Sequence, residues 1–332
     1  MGTEGKSEPP FQPWWKEAFD GGPSFTWDLH NLCNYRCSYC WWEQADQWQY
    51  FDKKDHPIPW QAWLRPWSRM NEKYGRCRLH VLGGEPLLYP GVGDLFAELS
   101  KHHYLYVATN LSSSLEELKK MTARWDASAI YLNASFHPEF AAPDLFLKKL
   151  LYLRSLGFTP SAAMVSYPPH IPQMTRIREL LAKEGIPITF QVFQGKYQGK
   201  SYPESFSVEE RALLDLEPGT RPAGEGQPVA PVEQPSLKGK PCCAGWFYAN
   251  VKADGEVFRC GGTGPGMEAE ARLGNLFGDD FELLPAPAPC PARHCFCQEN
   301  IFLLEAQEKK QPEFLKAWAR KTNAARGAKV GG

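Results

Sequence analysis

From about Ser24 to Phe193 the chain repeats one alternation: a short run of aromatic, β-branched and aliphatic residues, then a longer stretch with apolar residues at helical steps. The runs FTWDLH, CRLHVLG, YLYVATN, AIYLNASF, TPSAAMVSY and ITFQVF predict six strands. The stretches between them predict helices over roughly Trp60 to Tyr74, Gly91 to His102, Leu115 to Trp125, Asp144 to Leu156 and Gln173 to Glu184, with a last one over Val208 to Leu216. DLFLKKLLYLRSLG shows the pattern plainly, with an apolar stripe at three- and four-residue spacing that stops on Gly. Strand–helix units in series build a parallel sheet with helices packed on it. Six of them predict an α/β fold, a partial (β/α)6 TIM-like barrel, whose chemistry belongs at the C-terminal ends of its strands.

The pattern then changes. Glu217 to Pro241 holds six Pro and four Gly in 25 residues, a linker composition. Beyond it WFYANVKADGEVFRC reads as a β-hairpin with a DG turn, and a helical tail runs from about Asn300 to Ala325. The expected organisation is an N-terminal extension (1–23), the barrel (24–216), the linker (217–241) and a small C-terminal cysteine-rich β-hairpin/helix module (242–332). With 37 basic and 38 acidic residues, charge gives no argument for nucleic acid or a membrane surface as partner. No run of about 20 apolar residues is present. The first 24 residues lack the apolar core of an export signal, so a reducing cytoplasm and metal-bound thiolates are expected in place of disulfides.

Ten cysteines remain to be explained, and their spacing carries the chemistry. Cys33, Cys37 and Cys40 directly follow the first strand, where a barrel puts its active site. Four thiolates hold a four-iron cluster, so three leave one iron open to another ligand. A structural zinc site needs four ligands. The only other cysteine in the first 241 residues is Cys77, which alternation places with Leu79 and Val81 on one buried strand face. After the second strand comes Gly83-Gly84-Glu85-Pro86.

CxxxCxxC after one strand and GGEP after the next resemble the radical S-adenosylmethionine (radical SAM) enzymes, and the resemblance covers most of the chain. It implies a 4Fe-4S cluster on Cys33, Cys37 and Cys40 whose open iron chelates S-adenosyl-L-methionine, with Gly83, Gly84, Glu85 and Pro86 at its methionyl amino group. It places Thr109, Asn110 and Ser135, at the ends of the third and fourth strands, on the ribose or carboxylate, although ATNLSS replaces the commoner TNG. Tyr39 matches the family's aromatic beside the adenine, and Met164 to Tyr167 would line the same site. His137 and Glu139, in ASFHPEF, depart from the family's SLDG-like run and are candidate catalytic groups facing substrate; a His before Pro also serves as a turn residue. Trp41, Trp42, Trp48, Trp60, Trp63 and Trp67 would shield the site or, as large aromatics usually do, fill core.

The C-terminal cysteines resemble the SPASM and twitch modules, which open with Cys, nine to fifteen residues, Gly, four residues, Cys. Twelve residues separate Cys242 from Gly255 and eleven separate Cys243 from it, with four more between Gly255 and Cys260, so spacing admits either cysteine and the CxAG form favours Cys242. Cys290, Cys295 and Cys297 would supply the remaining ligands to an auxiliary 4Fe-4S cluster; zinc is the alternative. The resemblance implies an enzyme fed by a flavodoxin- or ferredoxin-type donor. A small-molecule or cofactor-precursor substrate is expected, since the 24 residues before the first strand are too few for a leader-recognition domain. The alternatives are a maturase of peptide substrates, including one like the anaerobic sulfatase maturases, and a non-catalytic iron–sulfur or zinc carrier.

Overall fold

The computed structural model describes residues 22–45, 57–214, 236–261, 268–278, 281–292 and 318–322. Six parallel strands lie side by side in chain order: β1 (Ser24–Asp28), β2 (Arg78–Leu82), β3 (Tyr104–Thr109), β4 (Ile130–Ser135), β5 (Ser161–Val165) and β6 (Ile188–Gln191). The connections carry α1 (Trp41–Gln44), α2 (Trp60–Tyr74), α3 (Val92–Leu99), α4 (Leu115–Thr122), α5 (Pro143–Ser155) and α6 (Ile171–Ala182); α7 (Val208–Leu213) follows β6. This is the α/β architecture that the alternating pattern predicts. Helix α4 starts at Ser114, whose hydroxyl takes the Glu117 N–H while the Glu117 carboxylate takes the Ser114 N–H. This capping box satisfies two donors that a helix start otherwise leaves open.

Alternation sorts each strand into two faces. Phe25, Trp27, Leu79, Val81, Leu105 and Val107 are fully buried beneath the helices, and Cys77 is buried with them as a small apolar residue. Trp27 lies against Trp63 at 4.8 Å and Trp67 at 5.2 Å, ring centre to ring centre. Both partners come from α2, so these two tryptophans are core; Trp41 is exposed, and Trp48 lies outside the described residues. The opposite face is polar and aromatic. Thr26, His80, Tyr106 and Tyr131 stand in register across β1 to β4, with His80 and Tyr106 at 5.2 Å and Tyr106 and Tyr131 stacked at 5.1 Å.

Local pattern does not show two further features. A short hairpin, β7 (Gly195–Tyr197) with β8 (Lys200–Tyr202), follows β6. The C-terminal hairpin joins the main sheet. After β9 (Pro241–Cys242), strand β10 (Tyr248–Val251) pairs in parallel with β1, then turns at Asp254–Gly255 into β11 (Glu256–Phe258) and on to β12 (Arg272–Asn275). One nine-stranded sheet results, ordered β12-β11-β10-β1-β2-β3-β4-β5-β6. Gly255 has φ +85°, and a Cβ there would sit 2.4 Å from the Phe277 ring, so the DG turn requires glycine.

Helix α2 fastens the hairpin's far side. Arg69 donates to the carbonyls of Leu276 at 2.6 Å and Gly278 at 2.7 Å, and Trp63 packs on Phe277 at 4.8 Å. Near the chain's end Trp318 donates its indole N–H to the Trp246 carbonyl at 3.2 Å. Most of the linker and of the expected tail lies outside the described residues.

Trp27 is the shared partner of both α2 tryptophans, so Trp27→Ala should destabilise the fold by about 3–5 kcal/mol, the usual cost of emptying a buried aromatic site. Urea unfolding followed by tryptophan fluorescence and circular dichroism measures it.

Candidate functional site

The site is built where three strand ends meet. Leaving β1, the chain passes so close to the GGEP segment that Gly84 N–H donates to the His30 carbonyl at 2.9 Å and Glu85 N–H to that of Leu32 at 2.8 Å. A Cβ on Gly83 would lie 2.1 Å from the His30 oxygen, and one on Gly84 2.1 Å from the Leu32 oxygen; Gly83 also has φ +135°. Both glycines are therefore required by the approach of the cysteine loop itself. Pro86 opens a single 3-10 turn, Pro86–Leu88.

Glu85 is 1% exposed. Its carboxylate accepts from the Thr109 hydroxyl at 2.5 Å, the Asn110 N–H at 2.5 Å and the Leu87 N–H at 3.0 Å. Asn110 then reaches the cysteine loop: its side-chain amide donates to Asn34 Oδ1 at 3.1 Å and lies 3.9 Å from Cys33 Sγ. Thr109 and Asn110, expected on a bound cofactor, thus commit a hydroxyl and a backbone N–H to Glu85. Ser135 stands at the end of β4 in register with Ala163.

The three thiols lie within electrostatic reach of one another. Burial raises the pKa of all three, Cys37 to about 12, and neighbouring thiols add to the effect for Cys33 and Cys37. Among the described residues no three His, Cys, Asp or Glu side chains stand in metal-holding geometry. The donor chemistry nonetheless suits an iron–sulfur cluster or zinc, because thiolates are soft ligands and coordination, not solvent, is what deprotonates a buried thiol. The loop is held in shape by the Arg36 guanidinium, which donates to the Cys33 carbonyl at 2.8 Å, and by the Cys40 N–H on the Cys37 carbonyl at 3.0 Å.

His137 is half-buried and Glu139 exposed, and both turn to the cysteine loop. The segment after β4 folds back on the cysteine loop, placing His137 Nδ1 2.9 Å from the Tyr39 hydroxyl and 3.3 Å from Cys37 Sγ. Glu139 accepts the Ser38 N–H at 3.0 Å and also the Ser38 hydroxyl. Burial lowers the His137 pKa to about 4, so its ring is neutral at neutral pH. Tyr39 stacks on His137 with rings 12° apart and meets Tyr167 at 5.3 Å. Within the run expected to line the adenine site, Met164 is fully buried on the helix side, while Tyr167 belongs to this aromatic group.

The second cysteine set also converges. Cys242 on β9 pairs with Ala288 of β13 (Ala288–Pro289), which brings Cys290 close, and Cys260 follows β11. Burial, with Cys290 and Cys260 adding to it, pushes Cys242 up to about 12. Cys243 is fully buried and feels Cys242 alone. Cys295 and Cys297 lie outside the described residues. Sequence reasoning missed three supports. His30 meets the Glu85 carbonyl through Nε2 at 2.8 Å, Asn34 receives Asn110, and Arg259 clamps the carbonyls of Ala244, Ala288 and Pro289 at 3.1, 3.0 and 2.8 Å. Only His30, in DLHNLC, carried a signal, as a polar residue just ahead of Cys33.

Burial raises the Glu85 pKa from 4.5 to about 7 against the opposing pull of its three donors. A raised carboxyl stabilises the fold fully below the ordinary value, and that stability is lost as pH climbs through about 7. The denaturation midpoint should therefore fall from pH 5 to pH 8 by an amount on the order of 1–3 kcal/mol in free energy. Glu85→Gln should flatten that slope, whatever it does to absolute stability.

No family profile matches the sequence and no curated protein does. Among solved structures, the chain is similar to SuiB of Streptococcus suis at 13% identity and a TM-score of 0.50, over 72% of this chain and 60% of that one. It is similar also to anSMEcpe, solved with bound AdoMet, at 14% identity and a TM-score of 0.50, over 78% of each chain. Both are radical SAM enzymes with SPASM domains, and this chain has their fold.

Proposed function

We propose that the chain is a radical SAM enzyme whose Cys33, Cys37 and Cys40 hold a 4Fe-4S cluster. The observation that carries this reading is the backbone-to-backbone seating of the cysteine loop on GGEP, at the C-terminal ends of adjacent parallel strands. A mere electron carrier needs the thiols and has no use for that second segment. When bound, the cluster and S-adenosyl-L-methionine together supply a 5′-deoxyadenosyl radical, which takes hydrogen from substrate.

The residues around the loop then have definite tasks. Gly83 and Gly84 let the loop approach, Glu85 fixes the ends of β2 and β3, and Asn110 orients the loop at Asn34 and Cys33. Tyr39, Tyr167 and His170 form an aromatic wall beside it that excludes water from a reactive intermediate. Cys242, Cys260 and Cys290 would hold the auxiliary 4Fe-4S cluster, with Cys295 and Cys297 as further donors.

A small polar substrate would find hydrogen-bonding partners on the inner face. Ser161 donates to Asn133 at 2.9 Å, Lys252 and Asp28 pair at 2.9 Å, and the small residues Ala108 and Ala163 belong to the same face. Below them His80 Nε2 and Asn250 Oδ1 are buried with no hydrogen-bond partner among the described residues. Buried polar atoms of that kind are costly unless something polar meets them. A flavodoxin- or ferredoxin-type donor and a cytoplasmic setting complete the proposal; among the described residues no helix is long and apolar enough to cross a membrane.

Anaerobic purification, reconstitution with iron and sulfide, and incubation with dithionite and S-adenosylmethionine test it. The wild-type chain should release 5′-deoxyadenosine, and Cys37→Ala should lose at least about 99% of it, since no other group can replace a cluster thiolate. Equal release by both, with clusters loaded, rejects the enzymatic reading. Metal analysis of a Cys242→Ala, Cys260→Ala, Cys290→Ala variant should show about four fewer irons per chain; zinc in their place removes the redox role.

A further inference from the structure

Glu139, His137 and Tyr39 form a clasp whose purpose the proposed function leaves open. We infer that His137 is a positioning residue for the first cluster: its Nδ1–H donates to Cys37 Sγ and raises that cluster's reduction potential. The inference rests on the proposed function, because it needs iron on Cys33, Cys37 and Cys40.

The geometry leaves the ring little freedom. Nδ1 stands 3.3 Å from Cys37 Sγ, within the reach of a hydrogen bond to sulfur. The ring lies parallel to Tyr39 at 12° and meets the Tyr35 ring edge-on at 5.7 Å, so it is held on two sides. Its backbone is fixed as well. The His137 carbonyl accepts from Phe140 N–H at 3.0 Å and Ala141 N–H at 2.9 Å, and Pro138 confines the preceding residue to extended angles. Two residues on, Glu139 grips Ser38 from the same segment, so the imidazole cannot swing away without releasing the next residue of the cysteine loop. His170 backs the carboxylate, with Nε2 3.8 Å from Glu139 Oε1.

Chemistry then selects the donor. A thiolate bound to iron has lone pairs and no proton, so Cys37 can only accept. Tyr39's hydroxyl also lies on Nδ1, at 2.9 Å, and is itself hydrogen-bonded to Cys37; with its own proton turned to the sulfur it accepts from Nδ1, so the single imidazole N–H is shared between the phenol oxygen and Cys37 Sγ. One-electron reduction adds a negative charge that is shared with the cluster's sulfurs. An N–H dipole aimed at one of those sulfurs stabilises the reduced form more than the oxidised form, and hydrogen bonds to sulfur are among the levers that set such potentials. A residue that merely filled space would leave the potential where it was.

The test is a mediated redox titration of the full-length reconstituted chain, read by electron paramagnetic resonance on the signal that S-adenosylmethionine perturbs, which singles out the first cluster from any auxiliary one. His137→Leu removes the donor and should shift the reduction equilibrium about tenfold towards the oxidised form, a fall of ~59 mV for a one-electron couple. His137→Asn places an amide nitrogen where Nδ1 was and should restore most of the loss. His137→Gln places it nearer the Nε2 position and should not. Full iron loading with an unchanged potential in His137→Leu overturns the inference, as do equal potentials for the Asn and Gln variants. If the Leu variant fails to load, the Asn and Gln pair decides alone. A wild-type chain with iron but no signal that responds to S-adenosylmethionine refutes the proposed function, a different failure from the loss of the potential shift.

Discussion

A carboxylate removed from water must have its lone pairs met, and Glu85 meets that demand with donors from two strand ends. Thr109 and Asn110 come from β3 and Leu87 from the turn that follows β2, so satisfying one buried group fixes both ends against each other. The backbone of Glu85 is engaged at the same time, its N–H by Leu32 and its carbonyl by His30. The cysteine loop is therefore laid on a frame held by protein–protein hydrogen bonds. Position rather than sequence proximity explains why residues at 30, 85 and 109 act as one unit.

The parallel sheet decides which ends of the chain can cooperate. Because β10 runs parallel to β1, with Ser24 opposite Tyr248 and Trp27 opposite Val251, its start lies beside the N-terminal ends of the barrel strands. Lys252, just beyond its other end, reaches Asp28 at the mouth. The hairpin is thus both an extra wall of the sheet and the source of one charged group at the mouth. Its base carries cysteines, and its tip carries the glycine turn packed on Phe277.

Much of this was legible in the sequence. Period-two runs gave all six barrel strands, and the helical stripe from Trp60 to Tyr74 matches α2 at both ends. Spacing alone does not separate Cys242 from Cys243, but their surroundings differ: Cys242 lies within electrostatic reach of Cys260 and Cys290, and Cys243 is packed away. What stayed hidden was non-local. Nothing in YANV announces a parallel partner more than 200 residues earlier in β1. Likewise ATN and ASFHPEF show polar groups at strand ends, but the direction in which a loop folds back depends on contacts that no local window contains. Thr109, Asn110, His137 and Glu139 stand near strand ends, and each turns to a protein partner: Thr109 and Asn110 to Glu85, His137 and Glu139 to the cysteine loop.

The same register limits what the second cysteine set can do. Phe258 lies opposite Asn250, so Cys260, two residues on, falls level with Tyr248 and hence with Ser24 at the start of β1. Cys33 follows the other end of that strand. Four residues of strand at about 3.3 Å each put at least ~13 Å of sheet between the two levels. The cluster proposed on Cys242, Cys260 and Cys290 would accordingly stand at the opposite end of β1 from the cysteine loop, a placement suited to passing an electron, with the polar inner face from Thr26 to Ser135 beside the strands between them.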